Sequence, residues 1–254
     1  LPALADPDET GEYRSIQKFP NNCLNPAVEP VYETLETIVG ELCDLFPSRY
    51  FHVGADEVPA EAWQGSPLAA RLRAELGVEG ASPLQAHFLT RIQAMLRARG
   101  RITGAWEEAA QGGGIGATDA YLVGWHTVEA SRRLAAQGYD VVAAPAQSYY
   151  LDMAGGAEWH EPGSAWAGWS SPQQTYAFEP AAGWSEGERG RLLGIQACIW
   201  GEPMRDHGAF DRLVFPRLSA IAETAWTPTE AKDWKRFAAF ADLMPNLYRQ
   251  YEGR

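Results

Sequence analysis

The chain has 254 residues, of which 46% are hydrophobic and 21% are charged, so it can bury a sizeable core in one large domain. Its 33 acidic residues outnumber its 21 Lys and Arg residues, and the formal net charge is -12. Such a charge repels phosphate backbones and anionic lipid surfaces, which argues against nucleic acid and membrane partners. The sequence contains no run of about 18 apolar residues that would span a bilayer and no signal-peptide pattern.

The cysteines and histidines carry no metal or redox motif. Cys23, Cys43 and Cys198 are widely spaced, form neither a CxxC pair nor an even disulfide set, and are expected to be core thiols. The five histidines show no HExxH or paired spacing. No GxGxxG follows a predicted strand, and the lone loop Gly112-Gly113-Gly114 is weak support for nucleotide binding. We therefore expect neither a metal nor a cofactor.

Apolar spacing predicts helices and short strands that alternate along the chain. The predicted helices are Pro30 to Phe46, Leu84 to Leu96 and Thr127 to Gln137, followed by helical patterns through Leu213, Leu218 and Ile221 and through Phe237, Phe240 and Leu243. The predicted strands are Tyr50 to Gly54, Ile102 to Trp106, Tyr121 to Trp125, Val141 to Ala144 and Leu193 to Ile199. A long loop is predicted from about Gln147 to Trp184, and connections of that length are usually functional.

This alternation predicts an α/β protein with a parallel sheet, and two architectures fit it. An open doubly wound sheet has its site at a switch point, whereas a (β/α)8 barrel has functional residues at the end of every strand. Acidic or aromatic residues follow nearly every predicted strand here, which favours the barrel. Because five strands cannot close such a barrel, we expect about three further strands upstream of Leu1.

Acidic and aromatic residues at the predicted strand ends are the candidates for chemistry. Asp56 and Glu57 directly follow an apolar strand, where a carboxyl group among tryptophan rings can serve as a general acid. Two later segments, Gly104 to Glu108 and Ile199 to Glu202, each combine a tryptophan with a carboxylate. Indole rings pack on the C–H face of sugars while acids accept their hydroxyl groups, so this repetition favours a carbohydrate site.

Several motifs, in order, resemble those of one enzyme family. The segment Phe51-His52-Val53-Gly54-Ala55-Asp56-Glu57 is similar to the His-x-Gly-Gly-Asp-Glu strand motif of family 20 glycoside hydrolases, the β-N-acetylhexosaminidases. The later segments that match are Gly104 to Glu108, Val123 to Trp125, Tyr149 to Asp152, Trp166 to Gly168, Gln196 to Glu202 and Pro216 to Glu223. The resemblance spans essentially the whole chain. Ala55 departs from it by replacing the second glycine, for which we expect a small packing adjustment.

The resemblance implies a (β/α)8 TIM barrel that removes terminal β-linked N-acetylglucosamine or N-acetylgalactosamine with retention. In this family the substrate's own acetamido oxygen attacks the anomeric carbon. Glu57 is then the general acid and base, Asp56 orients the acetamido group and stabilises the oxazolinium nitrogen, and Tyr150 donates to the acetamido oxygen. The remaining residues implied to bind the sugar are Trp106, Trp125, Asp152, Trp166, Trp200 and Glu202, and His52 is expected to support the acids.

Two other functions remain open at this point. A carbohydrate-binding module without catalysis needs the tryptophans but not Glu57. A glycosidase with two catalytic carboxylates needs a second acid about 5 Å from Glu57 and also cleaves sugars that lack the acetamido group. The expected partner in each case is an oligosaccharide, containing N-acetylhexosamine if the resemblance holds. The oligomeric state is open, and a periplasmic or secreted location is favoured over a cytoplasmic one.

We predict that residues 1–254 are the C-terminal part of a single catalytic barrel and have little or no activity in isolation. The family's first strands carry an arginine that binds the terminal sugar, and the incomplete sheet would expose unpaired edges. The test is hydrolysis of a chromogenic β-N-acetylglucosaminide by the purified 254-residue chain. Substantial turnover would contradict the prediction.

Overall fold

The computed structural model describes residues 4–243, which divide into two compact units. Within these described residues, the first unit covers positions 4–123 and 137–140, and the second covers positions 124–136 and 141–243. The prediction of a single domain over residues 1–254 includes positions 1–3 and 244–254, which lie outside the described residues.

The described residues form five strands and ten α-helices. The strands are β1 (Tyr50–His52), β2 (Ile102–Trp106), β3 (Ala120–Gly124), β4 (Asp140–Ala143) and β5 (Leu192–Ile195). The helices are α1 (Glu29–Leu45), α2 (Pro67–Leu76), α3 (Ser82–Ala98), α4 (Val128–Ala136), α5 (Ala146–Tyr149), α6 (Pro172–Ala177), α7 (Glu186–Arg189), α8 (His207–Val214), α9 (Arg217–Trp226) and α10 (Trp234–Ala241). Two 3₁₀ helices span Glu107–Gly113 and Thr229–Ala231.

Parallel strand pairing organises the first unit. His52 of β1 pairs with Gly104 of β2, and Gly104 pairs with Tyr121 of β3. On one face of β1, Phe51 and Val53 pack into a core that α1 and α3 supply. Successive strand residues point to opposite faces, so Tyr50 and His52 lie on the other side of the sheet. At the carboxyl end of β1, the side chain of His52 therefore lies on the face of the sheet away from the helices.

Parallel strand pairing also organises the second unit. Its strands β4 and β5 pair in parallel, with Val142 opposite Gly194 and Ala143 opposite Ile195. The amide of Ala144 donates to the carbonyl of Gly124 at 2.8 Å, so the end of β3 is hydrogen-bonded to the residue after β4. The core beneath consists of Tyr149, Leu151, Val214 and Ile221, with Phe178, Ile195 and Phe210 among the residues packed against it.

All five predicted strands and the predicted helices are present, with three corrections. β1 ends at His52 and β5 at Ile195, both earlier than predicted, and after β1 the chain turns sharply at Gly54 and Ala55. The loop predicted from Gln147 to Trp184 contains α6, which begins at a capping box between Ser171 and Gln174. Helix α2 was not predicted, since its apolar periodicity is weak. Within residues 4–243, none of the helices has the length and hydrophobicity needed to cross a membrane.

Candidate functional site

The two predicted catalytic acids lie on a sharp turn after β1. Asp56 and Glu57 are both exposed, so the predicted withdrawal from water among tryptophan rings is not seen for them. Three residues of this turn have left-handed backbones: Gly54 at φ 76°, Ala55 at φ 77° and Glu57 at φ 54°. Non-glycine residues rarely adopt this conformation, and such strain concentrates at functional sites.

Hydrogen bonds to β2 keep the turn attached to the sheet. The amide of Val53 donates to the carbonyl of Gly104 at 2.8 Å, and the amide of Trp106 donates to the carbonyl of Gly54 at 2.9 Å. The ladder thus continues two residues beyond β1. It places the half-buried Trp106 beside the beginning of the acidic turn.

The side chain of His52 is hydrogen-bonded to the backbone of the turn. Its Nδ1 accepts a hydrogen bond from the amide of Gly54 at 3.1 Å, and its ring meets that of Trp106 edge to face at 5.3 Å. Withdrawal from water lowers the pKa of His52, and the Asp56 carboxylate acts in the opposite direction. A neutral imidazole is the form that can accept at Nδ1. This geometry agrees with the supporting role predicted for His52.

Two glutamines that the sequence did not single out contact the same turn. The Nε2 of Gln17 donates to Glu57 Oε2 at 3.1 Å, and the Nε2 of Gln85 donates to the carbonyl of Ala55 at 2.9 Å. Gln17 lies in a tight turn far away in sequence, and nothing in the local pattern marks it. Gln85 faces the site from the first turns of α3, where its neighbours provided only a helical pattern.

Ala55, which stands where the family motif has a glycine, has a left-handed backbone. The predicted small packing adjustment treats the extra methyl group as the only change. At φ 77°, however, an alanine is in the left-handed region, which costs L-residues about 1–2 kcal/mol and costs glycine almost nothing. The hydrogen bond from Gln85 holds the carbonyl of this residue in place.

Four aromatic residues predicted to line the site lie together in the second unit. The rings of Trp125 and Tyr150 are nearly parallel at 6.1 Å, and Trp166 meets both edge to face at 5.9 Å and 6.0 Å. Trp200 lies 5.7 Å from Tyr150. Trp125 and Tyr150 are buried, whereas Trp166 is 60% exposed and Trp200 is 38% exposed. We call these four residues the aromatic cluster. It has a buried floor and two solvent-facing walls.

Backbone pairing after β4 and β5 positions the cluster. Tyr150 forms a parallel bridge with Cys198, and the amide of Leu151 donates to the Cys198 carbonyl at 2.8 Å. This pairing brings Trp200, two residues after Cys198, to the ring of Tyr150. The amide of Ala146 donates to the carbonyl of Trp125 at 2.8 Å. This hydrogen bond holds the backbone of Trp125 next to the segment that follows β4.

Asp152 is buried beside the cluster, and Glu202 is exposed. Burial raises the pKa of Asp152 to about 6, the Glu202 carboxylate adds to the rise, and the Arg217 guanidinium opposes it. The Oδ1 atom of Asp152 has no hydrogen-bond partner within residues 4–243. A buried carboxylate oxygen of this kind is suited to accept a hydroxyl hydrogen bond from a ligand.

The structure therefore groups the predicted site residues into two sets, one in each unit. His52, Asp56, Glu57 and Trp106 lie together in the first unit. Trp125, Tyr150, Asp152, Trp166, Trp200 and Glu202 belong to the second. One further residue of the second set, Arg217, belongs to a quoted motif but received no role from the sequence. Its signal was a basic residue at the start of a helix within an apolar segment.

Together these features define a parallel α/β protein with acids and tryptophans at the carboxyl ends of its strands, as in barrel enzymes. The family model for glycosyl hydrolase family 20, catalytic domain, matches residues 2–229. A beta-hexosaminidase of Vibrio furnissii is 38% identical over 221 residues, which are 86% of this chain and 36% of the relative. A beta-hexosaminidase of Porphyromonas gingivalis is 30% identical, over 84% of this chain and 27% of the relative.

A comparison with solved structures also finds family 20 enzymes. The crystal structure of a GH20 exo beta-N-acetylglucosaminidase from Vibrio harveyi, in complex with N-acetylglucosamine, superposes with a TM-score of 0.90 at 37% identity. The match covers 98% of this chain and 39% of the Vibrio harveyi chain. The chain belongs to glycosyl hydrolase family 20, whose catalytic domain is a TIM barrel. It spans about a third of the length of these curated relatives.

The burial of Asp152 predicts a pH-dependent effect of the variant Asp152→Asn. Because the folded protein holds this proton up to a pH of about 6 and the unfolded chain releases it near 3.8, the folded state binds more protons between these values. Stability therefore falls as pH rises through that window and levels off above it. The variant lacks this loss, so its stability relative to wild type should rise across the window by on the order of 1–3 kcal/mol.

Calorimetric Tm values of wild type and Asp152→Asn, measured across this pH range, check the prediction. Asp211→Asn, a change at an exposed carboxylate of α8, is the matched control and should show no such trend. A constant difference in Tm between Asp152→Asn and wild type would show that Asp152 ionises normally.

Proposed function

We propose that the complete protein containing this chain is a retaining exo-glycosidase that releases terminal β-linked N-acetylglucosamine or N-acetylgalactosamine. Membership of family 20 supports this, as do the hexosaminidase names of the relatives. The observation that carries the proposal is the aromatic cluster with the buried Asp152 beside it. A flat apolar wall next to a hydrogen-bond acceptor is complementary to a sugar ring.

In the proposed first step, the substrate's acetamido oxygen attacks the anomeric carbon while the bond to the leaving oxygen breaks. Glu57 gives its proton to that oxygen, and a cyclic oxazolinium ion forms. The Asp56 carboxylate orients the acetamido group and stabilises the positive charge that develops on its nitrogen. The hydroxyl of Tyr150 donates to the acetamido oxygen and holds it near the carbon that it attacks.

In the second step, the Glu57 carboxylate takes a proton from water, and the resulting hydroxide equivalent adds to the anomeric carbon. The oxazolinium ring opens, the acetamido group is restored, and Glu57 regains its proton. Two displacements at one carbon retain its configuration. The cycle needs only side chains and the substrate, so it uses no cofactor. The hydrogen bond from Gln17 to Glu57 supports this assignment because an amide donor orients the carboxyl group.

The tryptophans and the remaining acids bind the sugar in this proposal. Trp125, Trp166 and Trp200 form walls for the acetamido methyl group and the ring, and Trp106 is also assigned to sugar binding. Asp152 and Glu202 accept hydrogen bonds from the hydroxyl groups farther from the scissile bond. In architecture, the chain provides about the last five strands of the TIM barrel, with their helices.

We expect Glu57→Gln and Asp56→Asn in the complete gene product each to lower kcat/KM by about 10²- to 10⁴-fold, the range for loss of a positioned acid or base or of charge stabilisation. The substrates are a chromogenic β-N-acetylglucosaminide and the corresponding β-glucoside. Only the acetamido sugar should be cleaved.

Glu33→Gln removes a similar carboxylate from the exposed face of α1 and should leave the rates unchanged. Equal cleavage of both sugars would favour a glycosidase with two carboxylates. Cleavage of neither, with sugar binding intact in Glu57→Gln, would favour a carbohydrate-binding module.

A further inference from the structure

Arg217 is the largest of the fully buried side chains, with 1% exposure. It is the first residue of α9. Burial lowers its pKa to about 10, against the attraction of Asp152 and Glu161, so it remains charged at neutral pH. A buried cation destabilises a fold unless it is well hydrogen-bonded and has a counter-charge nearby. The burial of this charged side chain therefore indicates a specific role.

The hydrogen bonds of Arg217 connect the end of α8 to the segment that carries Tyr150 and Asp152. Its Nε donates to the carbonyl of Leu213 at 2.9 Å, near the end of α8, and Nη2 donates to the same carbonyl. Nη2 also donates to the carbonyl of Leu151 at 2.8 Å. Leu151 lies between Tyr150 and Asp152, the two residues proposed to bind the sugar. One guanidinium group therefore holds the backbone between them.

A backbone hydrogen bond at Asp152 and the charge of Arg217 both lower the pKa of Asp152 and so favour its ionised form. The Glu202 carboxylate opposes ionisation, and the Cys198 thiol on the neighbouring segment is held neutral by burial, which raises its pKa to about 11. Glu161 is engaged by Arg212 on α8, with Oε2 accepting from Nε at 3.2 Å. Two buried polar atoms in this neighbourhood, Arg217 Nη1 and Asp152 Oδ1, have no hydrogen-bond partner within residues 4–243.

We propose that Arg217 is a positioning residue for the sugar site, which orients the Tyr150–Asp152 segment through its hydrogen bond to the Leu151 carbonyl. The inference rests on the proposed function, because it assumes that Asp152 accepts sugar hydroxyl groups. Arg217 itself does not contact the sugar. Because its charge also favours the ionised form of Asp152, its loss should weaken sugar binding in a manner that depends on pH.

The test compares Arg217→Met, Arg217→Lys, Asp152→Asn and the double variant Asp152→Asn/Arg217→Met in the complete gene product. KM and kcat for a chromogenic β-N-acetylglucosaminide are measured across the acid and neutral pH range. In wild type, KM should fall as pH rises through the pKa of Asp152, about 6. In Arg217→Met this fall should move to higher pH, with KM at neutral pH raised about tenfold and kcat changed less.

In the Asp152→Asn background, Arg217→Met should raise KM by a smaller factor than in wild type, because part of the effect of Arg217 acts through Asp152. Arg217→Lys keeps the charge and should keep the pH at which KM falls. Arg133→Met removes an exposed arginine of α4 as a matched control and should match wild type. If Arg217→Met does not fold, Arg217→Lys decides alone, and a shifted pH profile in it would overturn the proposal.

Two further results would also overturn it. A rise in KM that is equal at every pH, or one that adds in full to that of Asp152→Asn, would assign Arg217 a purely structural role. An unchanged KM in Asp152→Asn would instead refute the sugar-binding role of Asp152, and the proposal with it. That result does not affect the outcome of the Glu57→Gln test. Failure of the Arg217 proposal can therefore be distinguished from failure of the proposed function.

Discussion

The placement of the functional residues depends on the parallel pairing of each strand with the next strand in its unit. Parallel strands bring their carboxyl ends to one edge of a sheet, whereas antiparallel neighbours end at opposite edges. In the first unit this pairing places the turn with Asp56 and Glu57 beside Trp106. In the second, the continuation of the same pairing beyond β4 and β5 brings Trp200 to Tyr150. The backbone ladder thus gathers side chains that are distant in sequence.

At these strand ends the protein accepts local costs that a purely structural segment would avoid. Ala55 and Glu57 have left-handed backbones, and Asp152 and Arg217 are buried with unpartnered polar atoms within the described residues. Each feature opposes stability, because strain and desolvation both raise the free energy of the folded state. Buried charged groups and backbone strain next to candidate site residues are typical of a ligand site.

The sequence predicted the elements whose signals are local and strong. Apolar periodicity located α1, α3 and the strands. Helix α2 was missed although Ser66 caps it and Gly77 ends it, since its alanines and arginines give little apolar contrast. Cap residues alone would have revealed it.

The sequence proposed a set of candidate site residues, but it could not provide their geometry. The motif order identified Tyr150 and Asp152, yet the burial of Asp152 depends on how the surrounding elements pack. The contact of Gln17 with Glu57 joins positions 40 residues apart, and no pattern in one sequence encodes it. The backbone conformation of Ala55 likewise follows from its hydrogen bonds to other elements.

The central claim is that the substrate's acetamido oxygen is the nucleophile. Its most direct test is the rate of the complete gene product on N-acetylglucosaminides whose acetyl methyl group carries none, one, two or three fluorine atoms. Fluorine withdraws electrons from the acetamido oxygen and weakens it as a nucleophile, so the account predicts that kcat falls steeply with each added fluorine. A kcat independent of fluorine content would contradict it and would require a nucleophile from the protein.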